Sequence, residues 1–134
     1  MIDELHKKLF AGFTYIKDSN QWGVNEDWRS HYEDFKRVGM FMDDCDGFAF
    51  TAADAVIDEG LALPGEVLVI RCLTEVGRGN FDHMVCGVNI GTETWILDNR
   101  YPAVYLMSNK PLYKWYDYMD FNDKGSWYKI EMEQ

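Results

Sequence analysis

Positive charge is scarce in this sequence. Thirteen lysines and arginines stand against 23 aspartates and glutamates, giving a formal net charge of -10 over 134 residues. A field of that sign repels phosphate backbones and anionic membrane surfaces, so nucleic acid is not an expected partner. Cysteine is scarce as well. Cys45, Cys72 and Cys86 are an odd number without paired spacing, which fits neither a disulfide framework nor a structural zinc site and suits a reducing, cytoplasmic setting. Long apolar runs are missing: none approaches the roughly 20 residues that span a bilayer. Charged side chains in residues 1–8 leave no place for the apolar core of a signal peptide, so no membrane association is expected. Internal repeats, linkers and low-complexity tracts are absent too.

What is present is core-forming material, 47% hydrophobic and 16% aromatic, enough for a single domain over residues 1–134. Ile2, Leu5, Leu9, Phe13 and Ile16 recur at helical steps and predict a helix over residues 2–17. Asn25 can cap a second helix with Trp28, Tyr32 and Phe35 on one face and Gly39 at its end. A third begins at Asp43 or Asp44 and ends at Gly60. Cys45, Ala49, Ala52 and Val56 share one of its faces, small enough to lie close against a sheet. Beyond Gly65 the texture turns to strands at 67–73, 83–90, 94–98 and 127–132. The predicted fold class is α+β, helices first and a twisted antiparallel sheet second. The tyrosines and tryptophans of the last third, together with Cys72 and Cys86, are assigned to packing. His6 and His31 are assigned to helix surfaces.

Cys45 is the residue placed for chemistry. A thiol attacks as its thiolate, and a helix N-terminus favours both that anion and an oxyanion formed beside it. Alternation puts His83, Val85 and Gly87 on one face of their strand. A hairpin turning at Ile90 and Gly91 sets Asp98 directly across from His83. A one-residue slip would send Asp98 to the other face. A nucleophile, a base and an orienting carboxylate in this arrangement have the logic of a catalytic triad for acyl transfer. Asp43, Asp44 and Asp46 work against it by raising the thiol pKa.

Three ordered blocks carry a family resemblance: Asp44, Cys45, Asp46; then His83, Met84, Val85; then Leu97, Asp98, Asn99. They resemble the signature blocks of the bacterial transglutaminase-like cysteine proteinases, and Gln21, Trp22 and the Glu26, Asp27, Trp28 segment resemble that family's lead-in. The resemblance spans roughly residues 20–107. It implies a papain-like, transglutaminase-like fold, peptide-bond hydrolysis, and a triad carried onto Cys45, His83 and Asp98. Gln21 becomes a candidate oxyanion donor, while Trp22 and Trp28 are candidate substrate-binding residues. Some members bind calcium through acidic residues beside the cysteine, which would fall to Asp44 and Asp46. Gly47 departs from that pattern, since relatives usually carry another acidic residue there and calcium takes six to eight oxygens.

The expected function is thiol hydrolysis of a peptide or isopeptide bond in a protein or peptide substrate, through a thioester, with no cofactor required and calcium as an optional ligand. Transglutaminase- or deamidase-type acyl transfer is the alternative within catalysis. A non-catalytic acidic protein-binding module on the same fold is the alternative outside it. A bacterial or phage origin is left open.

Overall fold

The computed structural model describes residues 1–15, 30–109 and 112–130. Helix α1 (Ile2–Gly12) buries Ile2, Leu5, His6 and Leu9. It ends five residues short of the predicted limit, and at Phe13 the chain extends into strand β1 (Phe13–Tyr15). Gly12 explains the stop: a Cβ there would lie 2.3 Å from the Gly39 carbonyl oxygen. The close approach brings β1 alongside β2 (Phe41–Asp43) in a short parallel pair with Tyr15 opposite Asp43. Between them, α2 (Tyr32–Val38) starts after His31 and ends on Gly39 at φ +74. The proposed Asn25 cap lies outside the described residues.

Helix α3 (Cys45–Asp58) is where the sequence placed it, and Asp44 caps it. Ala49, Ala52, Ala53, Ala55 and Val56 are fully buried, and these small side chains let the helix lie against the sheet. The strands β3 (Val67–Leu73) and β4 (His83–Ile90) have the predicted bounds. They are joined by β5 (Glu93–Leu97), β6 (Tyr105–Leu106), β7 (Lys114–Asp120) and β8 (Tyr128–Lys129), in the antiparallel order β6-β5-β4-β3-β7-β8. One face packs Val67, Val69, Met84, Cys86, Val88 and Met119 with α3. The other holds Ile70, Val85 and Ile96 beneath Tyr105, Trp115 and Tyr118. Cys72 and Cys86 are buried as expected. Among the described residues no helix is long and apolar enough to cross a membrane.

The β4–β5 register corrects the sequence reading. Ile90 pairs with Glu93 and Cys86 with Leu97, so the turn is Gly91 and Thr92, one position later than expected. Gly91 has the positive φ, +64, that two-residue hairpin turns favour. Each partner therefore moves by two. Asp98, just past the end of β5, comes level with Val85, diagonal to His83 instead of directly across from it. Two residues is a full strand period, so the predicted face is kept.

Candidate active site

The start of α3 is built by carboxylates. Asp44 has extended dihedrals, φ -91 and ψ -168, and its Oδ1 accepts from the backbone N–H of Asp46 at 3.1 Å and of Gly47 at 3.2 Å. Cys45 follows as the first helical residue, half-buried. Its thiol donates to Asp46 Oδ1 at 3.4 Å and also lies against the backbone N–H of Met84. Burial first, then the charges of Asp46 and Asp44, push the thiol pKa well up, against the weaker pull of the Met84 N–H. Burial and the acidic neighbours thus both favour the neutral thiol over the thiolate.

His83 opens β4, immediately before Met84. The preceding loop is pinned by Asp82, whose carboxylate accepts from the Thr74 backbone N–H at 2.8 Å and from its hydroxyl at 2.7 Å. His83 is 6% exposed, and its Nε2–H donates to Asp98 Oδ1 at 2.8 Å. The Asp98 carboxylate is fully buried and accepts three further hydrogen bonds, from Arg100 N at 2.9 Å, Tyr105 Oη at 2.7 Å and Tyr113 Oη at 3.0 Å. Burial raises its pKa, but the bond and charge of His83, then the Arg100 N–H and Tyr105, outweigh that and hold it below the ordinary carboxylate value. Both phenols are pushed up, first by burial and then by Asp98, and stay neutral donors.

The structure thus joins His83 to Asp98 and sets Cys45 beside the residue that follows His83. Among the described residues no hydrogen bond links the Cys45 sulfur to the His83 ring. Gln21, Trp22 and Trp28 lie outside the described residues.

Several supporting groups escaped the sequence reading. Tyr113 touches both His83 and Asp98, with its hydroxyl on the carboxylate and its ring edge-on to the imidazole at 5.9 Å. Arg100 donates to the Tyr113 oxygen at 3.0 Å and to Glu75 at 2.8 Å. His6, expected on the surface, is fully buried. Its Nε2–H donates to the Tyr101 carbonyl at 2.8 Å, fastening α1 to the turn that carries Asp98, and its Nδ1 has no partner among the described residues. Burial lowers its pKa. The signal was present, because position 6 is four after Ile2 and three before Leu9, inside the buried stripe. Tyr15, 53% exposed, lies where the charges of Cys45, Asp44 and Asp46 add to burial in raising its pKa.

Asp44 and Asp46, the proposed calcium ligands, fit that ion poorly. Asp44 Oδ1 serves two backbone N–H groups and Asp46 Oδ1 takes the thiol. Asp43 Oδ1 accepts from Asp44 N at 2.7 Å and its Oδ2 from His31 Nε2 at 2.5 Å. No group of three or more His, Cys, Asp or Glu side chains among the described residues is placed to hold a metal.

No curated protein matches the sequence. Among solved structures, the calcium-bound form of Legionella pneumophila LapG superposes with a TM-score of 0.71 at 19% identity, covering 98% of this chain and 68% of that one. The EGTA-treated form gives 0.68 at 18% identity, covering 98% and 66%. A third structure of LapG gives 0.66 at 18% identity, covering 96% and 69%. This chain therefore spans about two thirds of the length of those proteins and shares their transglutaminase-like fold. All of residues 1–134 match the family described as bacterial transglutaminase-like cysteine proteinase, and the chain belongs to that family of cysteine proteases.

Proposed function

We propose that the chain hydrolyses a peptide or isopeptide bond through a Cys45 thioester, with His83 as the acid–base group and Asp98 as its orienting carboxylate. The observation that carries this reading is the buried His83–Asp98 hydrogen bond, held at the start of β4 where the Cys45 thiol meets the Met84 N–H. Because Nε2–H is committed to Asp98, Nδ1 is the ring atom free to exchange a proton with sulfur. The raised thiol pKa suits a mechanism in which the thiol proton leaves to His83 during attack.

In the first step His83 takes the thiol proton as the S–C bond forms, then gives it to the leaving amine as the C–N bond breaks. In the second, water attacks the thioester, His83 removes its proton, and the sulfur leaves and is reprotonated. The Asp46 and Gly47 N–H groups are taken by the Asp44 cap, so it is the Cys45 N–H at the α3 terminus that is suited to the intermediate's oxyanion, with Gln21 as candidate second donor. The acidic surface suits a protein or peptide substrate, and the three unpaired cysteines suit a reducing compartment. The calcium-bound and EGTA-treated LapG structures make calcium plausible for the fold, but every proton and bond above is handled by the chain's own groups.

Iodoacetamide labelling mapped by mass spectrometry tests the pair. Cys45 is expected to react faster than Cys72 and Cys86, and to slow about tenfold or more in His83→Ala. Equal rates in the two proteins would sink the assignment. Product analysis then separates hydrolysis from transfer to an amine: water yields a new carboxylate, whereas an acceptor amine yields a crosslink.

A further inference from the structure

The side chain missing at position 47 has been replaced from another direction. A Cβ built on Gly47 would lie 2.0 Å from Asp43 Oδ2, 2.2 Å from its Cγ and 2.6 Å from its Cβ. The Asp43 carboxylate therefore fills the volume that a residue-47 side chain would take. It is held there from two sides, with Oδ1 accepting from Asp44 N and Oδ2 from His31 Nε2. His31 is itself tied to α3, because its backbone N–H donates to the Thr51 hydroxyl at 2.7 Å, one turn beyond Gly47. Its Nδ1 lies 3.7 Å from Asp34 Oδ2.

We propose that His31 and Asp43 are positioning residues for Cys45, organising the first turn of α3 by a protein hydrogen-bond lock in place of a bound metal ion. The lock is a closed circuit: Thr51 to His31, His31 to Asp43, Asp43 to Asp44, and Asp44 back to the N–H groups of Asp46 and Gly47. Both Asp43 oxygens and Asp44 Oδ1 already accept hydrogen bonds within it, so a calcium ion, which takes six to eight oxygens, would compete with the circuit for these three. Glycine at 47 is then a requirement of the lock, since any larger residue evicts Asp43.

The proposal rests on Cys45 as nucleophile only for one of its readouts. The test uses the full chain in calcium or in EGTA, following melting temperature, terbium luminescence and Cys45 labelling. Wild type is expected to behave alike in both, with no saturable terbium signal. His31→Ala and Gly47→Ala should each change Cys45 labelling about fivefold, and His31→Gln, which keeps a donor for Asp43, should recover most of the loss. The double variant His31→Ala/Gly47→Ala should be little worse than either single one. A saturable calcium-dependent rise in melting temperature of wild type would overturn the proposal. So would labelling in His31→Ala equal to that in wild type and His31→Gln. If Cys45 labels no faster than Cys72 in any protein, the nucleophile assignment fails instead, and the melting and terbium measurements still decide the lock.

Discussion

Replacing Tyr113 by phenylalanine removes one of the four hydrogen-bond donors to the Asp98 carboxylate described above. Asp98 is fully buried and Tyr113 Oη is one of two donors to its Oδ2. A hydrogen bond to a charged group contributes about 1.5–3 kcal/mol, and Tyr105 remains on the same oxygen, so a loss of about 2 kcal/mol is expected. With an unfolding entropy of about 2.1 cal/mol/K per residue over 134 residues, that lowers the melting temperature by about 7 °C. The pH dependence supplies a second check. Asp98 is held below its ordinary value of 3.8, so its stabilisation is present above 3.8 and is lost as pH falls through the lower folded value. The Tyr113→Phe substitution removes part of that depression. The gap between variant and wild type should be full at neutral pH and should shrink below 3.8. Because Tyr113 touches only His83 and Asp98 within the proposed triad, kcat should fall about five- to tenfold with KM little changed. Calorimetry across the acid range, with turnover at neutral pH, decides the matter. A melting temperature within about 1 °C of wild type and a parallel acid profile would refute the claim that this hydroxyl supports the carboxylate.

Two further outcomes follow from buried groups. In His83→Ala, where no base assists the thiol, Cys45 labelling should rise about tenfold per pH unit from neutrality to beyond the ordinary thiol value, because burial and then Asp46 raise its pKa above 9.0; a plateau near neutrality in that variant would show a depressed thiol. His6→Leu removes the side-chain donor to the Tyr101 carbonyl and should cost about 1–3 kcal/mol, whereas His6→Gln can keep the donor. Since burial holds the His6 pKa below 6.5, wild type should lose stability as pH falls below 6.5 and His6→Leu should lose less over that range. Melting curves that stay parallel in the two proteins would count against a neutral buried imidazole.

How far the site was readable depended on whether its causes are local. The start of α3 was legible because a cap acts on its own next few residues: the Asp44 side chain accepts from the N–H groups of Asp46 and Gly47. The stop of α1 was not, because it is set by the Gly39 carbonyl, 27 residues away and invisible to any periodicity. Tyr105 and Tyr113 read as packing residues because a phenol is two things at once, an apolar ring and a donor, and sequence shows which end matters only when the acceptor is known. The His83–Asp98 bond survived a mistaken register for a reason specific to strands. Moving the turn from Ile90 and Gly91 to Gly91 and Thr92 shifts its centre by one position and the pairing sum by two. A turn whose centre moved by half a position would have shifted the sum by one and put Asp98 among Met84, Cys86 and Leu97 beneath α3. There it would face an apolar core with neither phenol to meet it, and the energetic cost of burying a bare carboxylate excludes that register. The chemistry of Asp98, not the turn sequence, is what selects its face.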